Sequence, residues 1–127
     1  MNMIQEENNQ VNPFEAQAQI FKILTHPARI AILELLRDGE HCVCHMEARL
    51  GFRQAYISQQ LAVLREAGLI QDRRDGWNIY YRVMDLKIYD ILDIAKKMTG
   101  IEFPDINEVG FTCTCPRCLA EQQTLSH

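Results

Sequence analysis

No apolar run in the chain approaches the roughly 20 residues that a membrane-spanning helix needs. Residues Met1 to Asn12 lack the basic start and apolar centre of a secretion signal and read as a disordered leader. The expected compartment is therefore the cytoplasm, with no membrane partner. Equally missing are a glycine-rich phosphate loop, a paired-carboxylate motif and a nucleophile elbow, so no enzyme class finds support. There is no internal repeat. Basic excess is also lacking: 13 Lys and Arg stand against 17 Asp and Glu, a formal net charge of −4, which at first sight disfavours a polyanionic partner. With 127 residues, 47% of them apolar, the chain has material for one core and hardly two.

Charge distribution changes that picture. Six arginines (Arg49, Arg53, Arg65, Arg73, Arg74, Arg82) face three acids (Glu66, Asp72, Asp75) between Arg49 and Arg82, so this stretch carries +3 and the remainder −7. A basic middle between acidic ends is compatible with a local nucleic-acid footprint. Periodicity supplies the architecture. Phe14, Ala18, Phe21 and Leu24 predict a helix over 13–24, opened by Pro13. Pro27 opens a second helix, running to about Arg37. Val43 to Leu50 fits two helical turns stopped by Gly51, and Gln54 to Ala67 carries Ile57, Leu61 and Leu64 at i, i+4, i+7. Two helices joined through about three residues have helix-turn-helix spacing.

The period then changes. β-type runs at 69–74 and 77–83 flank Asp75-Gly76, a hairpin signal, and Asp85 is placed to cap a last helix reaching Met98. Trp77, Tyr80 and Tyr81 are expected to pack this ribbon onto the core rather than stack on bases. The predicted fold class is mainly α with a β-hairpin wing (α+β), a winged helix-turn-helix. The leader spans 1–12, the DNA-binding and dimerisation domain 13–98, and a cysteine-containing tail 99–127.

Five cysteines fall in two clusters, Cys42 with Cys44 and Cys113 with Cys115 and Cys118. In a reducing cytoplasm clustered thiols point to a metal site or a redox sensor rather than a disulfide framework. The Cys115 to Cys118 spacing is that of a metal knuckle. The Cys-Pro-Arg-Cys run is superficially similar to thioredoxin-like motifs, but no βαβ pattern surrounds it.

At this point the chain resembles the ArsR/SmtB family of metal-responsive repressors, over roughly Ala18 to Ala95. The resemblance rests on Leu24-Thr25-His26-Pro27-Ala28-Arg29-Ile30-Ala31-Ile32-Leu33, Arg53-Gln54-Ala55-Tyr56-Ile57-Ser58-Gln59-Gln60-Leu61, Leu64-Arg65-Glu66-Ala67-Gly68-Leu69-Ile70 and Glu40-His41-Cys42-Val43-Cys44. It implies a homodimeric repressor that binds an inverted-repeat operator in double-stranded DNA and leaves it when an inducer binds.

In a helix-turn-helix the second helix lies in the major groove, which would place Gln54, Tyr56, Ser58 and Gln59 at base edges and Arg53 at phosphate. Arg73 and Arg74 would charge the wing towards the backbone or minor groove. The first helix and the 85–98 helix carry more apolar surface than a small domain needs, and they are the expected dimer interface.

Cys42 and Cys44, two residues apart at the start of the first helix of the pair, would point about 200° apart on an ideal helix. Holding one ion with both would distort that turn and disturb the neighbouring recognition helix. The family's usual Cys-Val-Cys-Asp run reads Cys-Val-Cys-His here, and His41 and His45 flank the thiols as candidate nitrogen ligands. The family's alternative zinc site on the last helix is not expected, since residues 85–98 contain no His. Three sulfurs suit As(III) or Sb(III), four suit Cd(II), Pb(II) or Zn(II), and the Cys42/Cys44 pair matches the arsenic-sensing members. Thiol oxidation in place of metal capture is the alternative.

Overall fold

Asn12 begins the described part of the computed structural model, which covers residues 12–103. Its side-chain oxygen accepts from the Phe14 amide at 2.8 Å and the Glu15 amide at 3.4 Å, capping helix α1 (Pro13–Ile23) with proline in its first turn. Pro27 begins α2 (Pro27–Leu35) in the same way, and a 3₁₀ turn (Leu36–Asp38) follows. Next come strand β1 (His41–Cys42), α3 (Val43–Leu50) and α4 (Gln54–Glu66). Gly51 stands between α3 and α4 at φ 76°, a left-handed conformation that costs a side-chain-bearing residue about 1–2 kcal/mol. Strands β2 (Ile70–Asp75) and β3 (Asn78–Val83) and helix α5 (Ile88–Thr99) complete the order. The chain is a winged helix-turn-helix, as its periodicities predict.

The core forms where the apolar faces of these helices meet. Ile32, Leu33 and Leu35 of α2, Met46 of α3 and Ile57, Leu61 and Leu64 of α4 are its fully buried large side chains, joined by Ile70, Ile88 and Leu92. Each such side chain contributes about 1.5–3 kcal/mol on burial, so the orientation of α4 is fixed by its inner face. Helix α5 is tied to α2 by polar contacts as well. Tyr89 Oη donates to the Leu33 carbonyl at 2.6 Å, and Arg37 bridges Glu34 and Asp93 while lying 4.4 Å over the Tyr89 ring. These carboxylates hold the Arg37 guanidinium above its ordinary pKa, the Glu34 hydrogen bond first. Burial pushes the Tyr89 phenol well up.

The expected hairpin is present within a larger sheet, and two other expectations need correction. The hairpin is part of a three-stranded antiparallel sheet in the order β1-β3-β2, with His41 opposite Tyr81 and Cys42 opposite Tyr80. A two-residue strand has too little alternation to show in sequence. Asp85 caps a tight turn, accepting from the Lys87 amide at 3.1 Å, and the last helix starts only at Ile88. Tyr80 is buried and Tyr81 packs against the core as expected, but Trp77 is 99% exposed. Asp75 pairs with Asn78, so Gly76 and Trp77 form a two-residue loop beyond the last strand pair, where no core faces them. The tail cysteines Cys113, Cys115 and Cys118 and the leader up to residue 11 lie outside the described residues.

Candidate DNA-reading face and thiol segment

Helix α4 divides sharply along its length. Ile57, Gln60, Leu61 and Leu64 face inward, whereas Gln54, Tyr56, Ser58 and Gln59 are exposed on the N-terminal half. Arg53 is the exposed residue before its first turn, in extended backbone at φ −71°, ψ 151°. Tyr56 stands edge-on to Phe52 at 5.4 Å between ring centroids, which orients its ring. The arrangement presents amide, hydroxyl and guanidinium groups on one solvent-facing strip, the donor and acceptor types that read base edges and phosphates.

On the wing the two arginines differ. Arg73 Nε donates to Glu40 Oε2 at 3.3 Å, a second Arg73 nitrogen also bonds Glu40, Asp75 lies 3.8 Å away, and the guanidinium sits 5.0 Å from the Tyr80 ring centroid. The Glu40 hydrogen bond raises the Arg73 pKa. Arg73 thus fastens β2 to the residue just before β1. Arg74 is exposed and makes no ion pair among the described residues.

The thiol segment joins these two parts. Cys42 ends β1 and, at φ −89°, ψ 168°, is also the residue from which α3 departs. It is therefore not helical, and the ideal-helix angle between the two thiols does not apply. Cys42 is 4% exposed, while Cys44 in the first turn of α3 is exposed. His41 and His45 are both buried, their rings stacked at 3.9 Å and 4° between planes, and His41 Nε2 lies 3.3 Å from Asp38 Oδ1. They fill the seam between β1 and α3 rather than sitting in water. Among the described residues no three His, Cys, Asp or Glu side chains converge as a metal site. Cys42, Cys44, His41 and His45 are the thiol and imidazole donors along this segment.

Residues 26–72 match the family model described as "Bacterial regulatory protein, arsR family". An uncharacterized HTH-type transcriptional regulator of Mycobacterium tuberculosis, Rv0081, is 40% identical over 86 residues, 67% of this chain and 75% of its own length. Its crystal structure superposes with a TM-score of 0.63, covering 89% of this chain and 99% of that one at 32% identity. The chain belongs to the ArsR family of bacterial regulatory proteins. Within that family, the arsenical resistance operon repressor of Escherichia coli K12 is 46% identical over 66 residues, 51% of this chain and 56% of its own. The homodimeric winged helix-turn-helix DNA-binding domain of Mb0332 from Mycobacterium bovis, in solution, has a TM-score of 0.60 at 25% identity, covering 72% of this chain and 84% of that domain.

As an ArsR-family chain the protein is a DNA-binding transcriptional regulator. Two of its positioning residues carry no spacing signal in the sequence. Arg29 Nε donates to Gln60 Oε1 at 2.8 Å and its Nη1 to the Ile23 carbonyl at 3.2 Å, locking α4 to α1 and α2. The Arg29–Gln60 pair is separated by 31 residues, and only the fold brings it together.

Proposed function

We propose that this ArsR-family regulator is a homodimeric repressor released from an inverted-repeat operator when a thiophilic ion, As(III) or Sb(III) ahead of Cd(II), Pb(II) or Zn(II), is captured by cysteine thiolates. The observation that carries it is the seating of Cys42 and Cys44 on either side of the β1–α3 junction, the first a strand residue and the second a helix residue. Bringing both sulfurs onto one ion draws Cys42 out of its burial and reshapes the first turn of α3, which packs against α4. Exposed Cys44 is the point of first capture, and Cys113, Cys115 and Cys118 are the proposed additional ligands. The similarity to an arsenical resistance repressor supports this ion class.

Exposed Phe14 and Phe21 on α1 and Ile94 and Met98 on α5 support a dimer through these helices, as does the homodimeric relative. Arg53, Gln54, Tyr56, Ser58 and Gln59 are the proposed groove contacts and Arg74 the wing's phosphate contact, with Arg73 joining it only on leaving Glu40. Taking such a regulator from 99% bound to 99% released requires the ion to favour the released form about 10⁴-fold.

Mobility-shift titration of the reduced full chain on a duplex selected from randomised DNA, with arsenite, Cd(II), Zn(II) or peroxide added, is the test. Release by arsenite or Cd(II) that is lost in Cys44→Ser and in Cys42→Ser supports the reading. Variants that leave the duplex as the wild type does would remove it. Thiol oxidation is the second reading, favoured by the burial of Cys42 beside an exposed Cys44, because it needs only one reachable thiol at a time. Release by peroxide alone would establish it.

A further inference from the structure

The side chain most at odds with its setting is Trp77. It is the only tryptophan in the chain, and it is 99% exposed at the tip of the wing. A tryptophan left in water leaves about 150–250 Å² of largely apolar surface uncovered. The loop that carries it is short and well defined. Asp75 pairs with Asn78, and Gly76 takes φ 63°, so the position of Trp77 is set by the strand ladder. Arg74, three residues earlier and in no ion pair among the described residues, places a cation on the same tip. Arg73, one residue further in, is tied to Glu40.

The arm also has a suitable length. Six residues of β2 at about 3.3 Å each carry the tip roughly 17–20 Å from Ile70 in the core. One turn of B-DNA spans about 34 Å, so the minor groove next to a helix seated in the major groove lies about half that distance away. An apolar side chain beside a cation, held at such a reach on a DNA-binding regulator, matches the wedges that proteins insert between base steps in the minor groove.

We propose that Trp77 is a DNA-contacting residue that stacks at a base step in the minor groove flanking each half-site, with Arg74 neutralising the adjacent phosphate. This rests on the DNA-binding reading and adds a partner surface to it. The preferred step is a flexible pyrimidine–purine one, TA or CA, because such steps unstack most easily. The wing then reads sequence outside the bases touched by α4, through deformability rather than hydrogen bonds.

A single tryptophan makes the test direct, since all indole emission reports on Trp77. The full chain is titrated with a duplex of about 30 base pairs selected by the wild type from randomised double-stranded DNA. At saturation, emission is expected to fall by about half or more and acrylamide quenching to weaken several-fold as bases cover the ring. Trp77→Ala is expected to weaken binding about tenfold with an unchanged melting temperature, Trp77→Phe to recover most of that loss, and a flanking TA step replaced by GG to weaken the wild type but not Trp77→Ala.

The slope of log Kd against log salt stays the same in Trp77→Ala and falls by about 1 in Arg74→Ala. Acrylamide access unchanged at saturation, or Trp77→Ala binding as the wild type does, overturns the inference. So does shielding that exists without DNA and grows with protein concentration, which would assign the indole to a contact between copies. A wild type that selects no duplex overturns the DNA-binding reading itself and this inference with it.

Discussion

Gln60→Leu puts the positioning of α4 to a quantitative test. Gln60 is 8% exposed on the inner side of α4, and its Oε1 accepts from Arg29 Nε at 2.8 Å. Leucine fills similar space but offers Arg29 no acceptor, leaving the guanidinium with the Ile23 carbonyl at 3.2 Å as its remaining bond here. A hydrogen bond to a charged group contributes about 1.5–3 kcal/mol. Arg29 is only partly buried, so water replaces some of the loss and the lower end, about 1.5 kcal/mol, is expected. For a domain of this size that corresponds to a melting temperature lower by about 6–12 °C.

Thermal unfolding followed by circular dichroism, at one fixed protein concentration because a dimer's stability depends on it, measures the drop. Arg29→Met should cost a similar amount, and the double variant should lose less than the sum, by about 1 kcal/mol. Strict additivity, or a melting temperature unmoved by Gln60→Leu, would show that the pair does not hold the two helices together.

Two other outcomes follow from the same geometry. The Arg37 hydrogen bond lowers the Asp93 pKa, so its stabilising contribution is present above the unfolded carboxylate value near about 3.9 and is lost as pH falls through the folded value. The gap in urea midpoint between wild type and Asp93→Asn should be full at neutral pH and close in acid, and a gap that ignores pH refutes the assignment. Gly76 sits at φ 63° with open space where a Cβ would go, so Gly76→Ala should cost about 1 kcal/mol from backbone strain alone. Gly76→Asn should cost less, because asparagine tolerates this region, and equal losses in thermal unfolding would show that something other than φ is at stake.

Periodic burial made most of the fold legible in the sequence. Val43–Leu50 and the inner stripe Ile57, Leu61 and Leu64 stand where their spacing puts them, because a helix spanning a core leaves a regular signature. What stayed hidden depends on partners distant in the chain. His41 and His45 look like solvated neighbours of the thiols until β1 pairs with β3 and closes over them. Arg73 and Arg74 are indistinguishable as letters, yet the register sets Arg73 with Tyr80 and within reach of Glu40 and leaves Arg74 outside. Aromatic character alone argues for an inward Trp77, whereas the two-residue loop carries it past the last strand pair. On the thiol segment, the sequence supplies which atoms are present but not that one sulfur is covered and the other open.

The junction at Cys42 has no spacer: strand pairing with Tyr80 ends on the residue from which α3 departs. An inserted or deleted residue there cannot be taken up by a loop. It must either shift the central strand that leads to the wing tip or rotate the helix that abuts α4. Displacement at this one backbone position therefore reaches both the wing and the helix pair, with no loop between them to absorb a change of length.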